Sequence, residues 1–115
     1  MPAHPIDFQF QAGFYATPEL TTVFAEKTRI GRWLDIEATL AHVQGELGII
    51  PKQAAAEIVQ KSRLENLDLS LVAKEYEKSR NSLLPVIRAL KQACDEGHCD
   101  FVHFGVTTQD VLDTA

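Results

Sequence analysis

Cysteine is scarce in this chain, so a cysteine-rich structural metal site is not expected. Cys94 and Cys99 are the two cysteines, and no second closely spaced pair could complete a tetrahedral zinc site. Reduced thiols are therefore predicted rather than a disulfide framework. His98, Cys99, Asp100 and His103 follow one another closely, but their spacing matches no closed metal pattern, and no metal is predicted.

The chain also lacks an excess of basic residues and long apolar runs. Its 11 lysines and arginines are outnumbered by 16 acidic residues, which gives a net charge of -5. Nucleic acids and anionic membranes require a basic face, so neither is an expected partner. No apolar run approaches the roughly 20 residues of a membrane span, and the opening MPAHPIDFQF does not resemble a secretory signal. A cytoplasmic location is predicted.

The composition of the chain is that of one globular unit. Hydrophobic residues make up 45% of it and charged residues 23%, which suits a single unit with a modest core. Residues 1–16 mix proline, glycine and aromatic residues without periodicity and predict an extended arm. Thr17, Pro18 and Glu19 then predict a short helix, since they supply an N-cap, a first-turn proline and an acid at the positive helix end.

A long helix is predicted from about Thr28 to Leu47. Apolar residues recur there at three- and four-residue steps, which is typical of one buried helical stripe. Gly48 is predicted to end the helix. The stripe consists of Ile30, Trp33, Leu34, Ile36, Leu40, Val43 and Leu47.

Three further helices are predicted in the middle of the chain. The first begins around Pro51, which fits a first helical turn. Helical spacing resumes over residues 71–76 after a connection. Pro85 then indicates either a kink or a new helix that starts at Asn81 or Ser82, because proline cannot donate a hydrogen bond to the preceding turn. The new helix is preferred.

The residues best suited to ligand binding or catalysis surround the start of a last predicted helix. Thr107 and Asp110 stand in capping-box spacing, just after a glycine that would let the backbone approach a ligand. Free N–H groups at this helix start, with the hydroxyls of Thr107 and Thr108, suit a carboxylate or a phosphate. A plain helix cap is the alternative interpretation of the two threonines. For His103, acid–base chemistry or substrate contact competes with a purely structural role.

Several blocks of the sequence resemble the opening of fumarase/aspartase superfamily enzymes, in order and in spacing. The resemblance is to the branch of 3-carboxy-cis,cis-muconate cycloisomerase and adenylosuccinate lyase, and VHFGVTTQDV with the following DTA resembles the first signature region. The blocks are YATPEL from Tyr15, WLDIEATLA from Trp33, ELGIIP from Glu46, AAAEI from Ala54, VHFGVTTQDV from Val102 and DTA from Asp113.

The resemblance implies an all-α protein cut off at the start of a central helical bundle. Residues 17–107 would form the N-terminal helical domain and residues 108–115 the start of a truncated bundle helix. The intact enzymes are expected to be homotetramers with active sites built from three subunits, and no cofactor is expected. They eliminate a group β to a carboxylate or run the related cycloisomerisation, and their catalytic serine loop would lie beyond this chain.

The resemblance also assigns roles to residues. His103 is the catalytic candidate beside the substrate. Thr107 and Thr108 would hold a substrate carboxylate, and Gln109 and Asp110 would shape the pocket. Hydrogen-bond donors are needed there because removing a proton beside a carboxylate places negative charge on that carboxylate.

Two departures from the adenylosuccinate lyase pattern favour a smaller substrate. Phe14 stands before Tyr15 where those enzymes usually carry a phosphate-binding arginine. Asn81 replaces the histidine of their Thr-Arg-His-Asp segment, and asparagine cannot exchange a proton near neutral pH. Tyr15, Arg80, Asn81 and Ser82 remain substrate-binding candidates, although a surface position is an equal alternative for Arg80.

Three functions are therefore considered. The first is a cycloisomerase-like lyase acting on a small di- or tricarboxylate, and the second is adenylosuccinate lyase with an altered phosphate site. The third is a non-catalytic helical interaction module from a truncated gene. In each case the isolated 115-residue chain is expected to lack lyase activity and to self-associate, because its last helix would expose apolar surface normally covered by its continuation.

Overall fold

The computed structural model describes residues 3–115, and all regular structure in that range is helical. The described residues contain no strand, which confirms the predicted all-α class. None of their helices is long and apolar enough to cross a lipid bilayer. The six α-helices are α1 (Pro18–Val23), α2 (Glu26–Glu46), α3 (Lys52–Lys61), α4 (Leu69–Lys78), α5 (Leu84–Ala93) and α6 (Thr108–Thr114).

The N-terminal arm is not extended throughout. Residues 1 and 2 of the predicted arm lie outside the described range, and residues 3–16 contain two single-turn 3-10 helices, Pro5–Asp7 and Ala12–Phe14. Pro5 favours the first turn because its ring fixes φ near the helical value. The predicted extended conformation is therefore wrong at these two turns.

Helix α1 begins where the sequence predicts. The hydroxyl oxygen of Thr17 accepts a hydrogen bond from the backbone N–H of Leu20 at 3.2 Å, and Pro18 occupies the first turn. Helix α2 follows, and its end is set by Gly48, whose φ of 72° lies in the left-handed region open to glycine. The chain then turns back toward α3.

The core lies along α2, against which α3 and α6 pack. Ile30, Trp33 and Leu34 are buried as predicted, but Val43 and Leu47 are 46% and 69% exposed. The predicted stripe is therefore wrong in its last third. The buried face there consists of Glu37, Ala41, Gln44 and Gly45.

The middle helices follow the predicted order with shifted starts. Pro51 is the residue before the first turn of α3, and α5 begins at Leu84 with Pro85 in its first turn. The predicted start at Asn81 or Ser82 is slightly early, since both residues belong to the turn that precedes α5. Two more 3-10 turns, Leu64–Asn66 and Cys99–Phe101, lie in the connections before α4 and before α6.

The chain forms an elongated body of 53 × 26 × 23 Å with a radius of gyration of 16.3 Å. A compact domain of this length has a radius of gyration of about 13 Å. The accessible surface is 7896 Å², whereas a compact monomer of the same mass exposes about 6,300 Å². Much surface is therefore available for packing against other chain segments or subunits.

Candidate active site

The candidate site is built where the polar part of the buried α2 face meets the loop after α5. Glu37 and Gln44 are both buried and stand seven residues apart, close to two helical turns, so they share one face. Glu37 contacts the side chain of His103, and Gln44 donates to the backbone carbonyl of Phe104. Helix α2 thus holds the loop at two successive residues.

Glu37 and His103 form a largely buried pair. Nδ1 of His103 lies 2.5 Å from Oε1 of Glu37, and the side chains are 15% and 1% exposed, respectively. The second carboxylate oxygen, Oε2, is buried and has no hydrogen-bond partner among the described residues. Burial raises the pKa of Glu37, and the hydrogen bond and charge of His103 offset that rise only in part. Within residues 3–115, the imidazole is thus the single hydrogen-bonded partner of a desolvated carboxyl group.

The backbone around His103 is strained and held in place. His103 has a φ of 59° and Gly105 a φ of 75°, both in the left-handed region. This conformation costs a residue with a β-carbon about 1 kcal/mol. Nε2 of Gln44 donates to the carbonyl of Phe104, between these two residues, at 2.8 Å. Such strain persists only where surrounding contacts maintain it, and it is found most often at functional sites.

The start of α6 lies next to this loop and is capped as predicted. Oδ2 of Asp110 accepts hydrogen bonds from the backbone N–H of Thr107 at 2.9 Å and from its hydroxyl at 3.1 Å, within a capping box. These two bonds lower the pKa of Asp110, and the charge of His103 makes a smaller contribution in the same direction. Thr107 and Asp110 are therefore bonded to each other, four and seven residues after His103 in the chain.

The four predicted residues at this helix start are not equally free to meet a ligand. The hydroxyl of Thr107 is engaged by Asp110, and the side-chain amide of Gln109 donates to Asp113 at 2.7 Å. Thr108 is half-buried at the first position of α6, where backbone N–H groups have no acceptor within the helix. Because the capping box engages the N–H of Asp110, the donors open to an anion are the hydroxyl of Thr108 and the backbone N–H groups of Thr108 and Gln109.

Asn81 has a structural role in the turn between α4 and α5. Its Oδ1 accepts hydrogen bonds from the backbone N–H groups of Leu83 and Leu84, each at 2.9 Å. Its side-chain oxygen therefore caps the start of α5. The neighbouring residues Arg80 and Ser82 are exposed.

Ser82 faces a different part of the molecule from the loop of His103. It lines a cleft of about 330 Å³ together with Arg29 and Arg32 of α2 and with Ala115 beyond the far end of α6. Thr108 and Ala115 are separated by about 10 Å along the helix axis at 1.5 Å per residue. The two groups of predicted site residues therefore lie toward opposite ends of α6.

Tyr15 is exposed just before α1, with its ring centroid 6.4 Å from that of Phe14. Among the described residues, no hydrogen bond joins Tyr15 to the other site candidates. Of the site candidates, Thr107 and Asp110 are thus joined directly, whereas Tyr15 is hydrogen-bonded to none of them within residues 3–115.

A second polar cluster differs from the metal-ligand set considered from the sequence. Glu57, Asp95 and His98 place three potential ligand atoms within 4.8 Å of one another, whereas Cys99 and Asp100 are not among them. Glu57 accepts from the backbone N–H of Asp95 at 3.0 Å and pairs with Nδ1 of His98. Burial acts to raise the pKa of Glu57, but these bonds outweigh it and the pKa is lowered. Two carboxylates and an imidazole could hold a divalent cation, and without one they already join α3 to the end of α5.

Sequence reasoning missed Glu37, Gln44 and Glu57. The available signal was the heptad spacing of Glu37 and Gln44, with Ala41 between them on the same helical face. Polar residues beside an apolar stripe are normally solvated, so this spacing does not by itself indicate burial.

The chain is similar over its whole length to known lyases. It is 38% identical over 115 residues to N-acetyl-S-(2-succino)cysteine lyase of Dickeya dadantii and 37% identical over 115 residues to adenylosuccinate lyase of Methanocaldococcus jannaschii. Each alignment covers 100% of this chain, but only 25% and 24% of the respective relative. No model of a protein family matches the chain.

A solved structure shares the fold. The crystal structure of 3-carboxy-cis,cis-muconate lactonizing enzyme from Pseudomonas putida matches with a TM-score of 0.81 and 28% identity, over 93% of this chain and 25% of that one. The chain thus spans about a quarter of the length of the proteins it matches. By sequence and by fold together, it belongs to the fumarase/aspartase superfamily of lyases.

Proposed function

We propose that this chain is part of a lyase or cycloisomerase that acts on a small di- or tricarboxylate. The reaction would remove a proton beside a carboxylate and eliminate a β substituent, or run the related cycloisomerisation. The observation that carries the proposal is the start of α6, where Thr107 and Asp110 form a capping box just after the loop that holds His103 against Glu37. An imidazole next to hydroxyl and N–H donors suits a reaction that builds negative charge on a carboxylate.

Within this site, Thr108 is the proposed direct contact to a substrate carboxylate. Its hydroxyl lies beside the first N–H groups of α6, and dipoles of this orientation favour an anion. Asp110 would act by holding Thr107, because its carboxylate is already bonded to that residue. Gln109 would shape the pocket, as would the turn that contains Arg80, Asn81 and Ser82 once the rest of the enzyme is in place.

The preference for a small polycarboxylate has two supports. N-acetyl-S-(2-succino)cysteine and 3-carboxy-cis,cis-muconate, the compounds in the names of two of the matching enzymes, each carry three carboxyl groups. The present chain has Phe14 and Asn81 at the positions where the adenylosuccinate lyase pattern has an arginine and a histidine. A phosphate-bearing substrate would therefore lack one anchor.

Adenylosuccinate lyase, which releases fumarate in purine biosynthesis, is the alternative function. It is favoured by 37% identity over the whole chain to an adenylosuccinate lyase. In that case the substrate phosphate would have to be held by residues other than Phe14.

The assembled enzyme is proposed to be a cytoplasmic homotetramer, and the isolated chain to be inactive. The large exposed surface of the chain supports packing against further protein. Its predicted catalytic serine loop would lie in another part of the intact enzyme, so the 115 residues alone would bind a carboxylate weakly and would not turn it over.

Substrate assays on the full-length protein that carries this segment test the proposal. The three substrates are 3-carboxy-cis,cis-muconate, N-acetyl-S-(2-succino)cysteine and adenylosuccinate. Turnover of either small tricarboxylate with little or none of adenylosuccinate is expected. Efficient cleavage of adenylosuccinate alone would establish the alternative, and inactivity toward all three would reject both.

A pair of variants tests the carboxylate contact. Thr108→Val removes the proposed donor but keeps the side-chain shape, and kcat/KM is expected to fall by about 100-fold, as for other oxyanion donors. Thr114→Val on the same helix removes a hydroxyl bonded to the carbonyl of Asp110 and serves as the matched control. Equal effects of the two substitutions would contradict the role of Thr108.

A further inference from the structure

We propose that Glu37 is a positioning residue for His103. Glu37 holds the imidazole through Nδ1 and so turns Nε2 toward the substrate. The catalytic part of this inference rests on the proposed function. The part that concerns the tautomer and orientation of the ring depends on this chain alone.

The imidazole of His103 meets Glu37 through one ring nitrogen. Oε1 of Glu37 lies 2.5 Å from Nδ1 of His103, and an ionised carboxylate can only accept a hydrogen bond. When Glu37 is ionised, Nδ1 therefore carries the proton, so in the neutral ring Nε2 carries the free electron pair. Since Nε2 lies on the opposite side of the ring and His103 remains 15% exposed, Nε2 has access to the outside of the loop.

Stability alone does not explain a glutamate at position 37. The side chain is 1% exposed, and its Oε2 has no hydrogen-bond partner among the described residues. A buried carboxylate with an incomplete set of partners contributes less to stability than an apolar side chain of similar volume. Burial also raises the pKa of Glu37, because desolvation disfavours the ionised form. The contact with His103 is what remains to account for a glutamate here.

Helix α2 also fixes the backbone of the same loop, through a second residue. Gln44 binds the carbonyl of Phe104, next to the left-handed His103. Gln44 thus places the main chain, and Glu37 places the ring. Two contacts from one rigid helix leave the imidazole little freedom, as is needed for a side chain that must meet a substrate within a few tenths of an ångström.

The chemical consequence concerns charge on the ring. Nε2 can accept a hydrogen bond or a proton from the substrate, and Nδ1 keeps its own proton throughout. The positive charge that then develops on His103 is stabilised by the carboxylate of Glu37, which itself does not take up a proton. The charge of His103 also contributes to lowering the pKa of Asp110, but the carboxylate of Asp110 is bonded to Thr107.

Nitrogen NMR of the 115-residue chain tests the tautomer. At a pH where the ring is neutral, His103 of the wild type is expected to show a protonated Nδ1 and an unprotonated Nε2. Glu37→Met keeps the volume but removes the acceptor, so a mixture of tautomers is expected. Glu37→Gln retains an acceptor oxygen and should restore the wild-type tautomer. Glu46→Met, at an exposed position of α2, is the matched control.

The same variants in the full-length enzyme test the consequence for catalysis. Glu37→Met is expected to lower kcat by about tenfold or more, the scale on which carboxylate partners of functional histidines act, with KM changed less than kcat. If Glu37→Met does not fold, Glu37→Gln decides, because loss of the charge must still lower kcat. A wild-type tautomer in Glu37→Met, or an unchanged kcat in the folded variants, would overturn the positioning role. An inactive wild type would overturn the proposed function alone, since the NMR result stands without turnover.

Discussion

Gly45 of α2 lies so close to Ala55 of α3 that a Cβ built on the glycine would be 2.6 Å from the alanine Cβ. Real Cβ atoms do not approach this closely, so α2 and α3 can pack this tightly only because residue 45 has no side chain. Gly45→Ala must therefore push α3 away. We expect a loss of about 1–3 kcal/mol in the free energy of unfolding, as for other overpacked cores, measured by urea denaturation.

Gly31 provides the control for this substitution in the same helix. A Cβ at Gly31 would meet no atom within 4 Å. Gly31→Ala should therefore stabilise the chain by about 0.5–1 kcal/mol through helix propensity alone. Similar effects of the two substitutions would show that the contact between α2 and α3 is looser than described.

Asn81→Ala tests the capping role of the asparagine. It removes the oxygen that accepts from Leu83 and Leu84, and a loss of about 1 kcal/mol in the free energy of unfolding is expected. Ser82→Ala changes an exposed neighbour and should leave stability within about 0.5 kcal/mol. If Asn81→Ala were neutral in unfolding yet lowered activity of the full-length enzyme, a direct substrate role would replace the structural one.

The pH dependence of stability should report the burial of Glu37. In the unfolded chain this carboxyl ionises near its ordinary pKa of 4.5, whereas in the fold its pKa is raised. Both states are protonated below pH 4.5. As the pH rises above 4.5, the unfolded chain loses this proton first. The stability that Glu37 contributes therefore falls with rising pH, and the fall ends once the pH exceeds the pKa of Glu37 in the fold. Wild type should therefore lose stability relative to Glu37→Gln across this range.

Urea denaturation between pH 4 and 8 measures this difference, with Glu46→Gln as the exposed control on α2. The difference between Glu37→Gln and wild type should grow in favour of the variant as the pH rises. A difference that stays constant or grows the other way would mean that the carboxylate of Glu37 is well solvated or better paired than described.

The two cysteines should differ in reactivity. Burial raises the pKa of Cys94 to about 11, from an ordinary 9.0, and leaves little reactive thiolate at pH 8. Cys99 is half-buried and more accessible. Iodoacetamide should therefore modify Cys99 first, with Cys94 slower by on the order of tenfold or more. Mass spectrometry of the native chain separates the two sites, and equal rates would contradict the burial of Cys94.

The same thiol predicts a loss of stability in alkali. Because the pKa of Cys94 is raised in the fold, its contribution is fully present below about pH 9 and is lost as the pH rises toward 11. Cys94→Ala should lack this decline, whereas Cys99→Ala should retain it. Thermal unfolding at pH 8, 9 and 10 provides the comparison.

Self-association of the isolated chain is expected from its exposed aromatic residues. Phe10, Phe14 and Phe24 are 88%, 81% and 72% exposed, and exposed apolar surface of this kind favours association. Light scattering should show species larger than a monomer at micromolar concentration. Replacing the three phenylalanines by serine should shift the chain toward the monomer, while Lys27→Ser should not. A monodisperse wild-type monomer would contradict this expectation.

The helix order could be predicted because its signals are local. Thr17 and Pro18 start α1, Gly48 ends α2, and Pro85 marks the first turn of α5, each through backbone chemistry that depends on few neighbours. The two 3-10 turns of the N-terminal arm could not be predicted, since a single turn leaves no periodic pattern in the sequence.

The candidate site could be predicted only in part. His103 and the capping pair Thr107 and Asp110 lie close in sequence, so their proximity follows from one short segment. Glu37 and Gln44 could not be found in this way, because their burial depends on how closely α3 approaches and on where a distant loop returns to α2. The separation of Ser82 from His103 is likewise a property of the three-dimensional packing.

The left-handed backbone of His103 limits which amino acids can ever occupy its place. Valine, isoleucine and threonine resist this conformation, whereas asparagine and glycine accept it. A saturation library at position 103 should therefore lose its β-branched members at the folding step, before any chemistry is assayed. Asparagine is the informative replacement, because it adopts the left-handed conformation but cannot exchange a proton as imidazole does. It therefore separates the effect of the backbone conformation at position 103 from the effect of proton transfer.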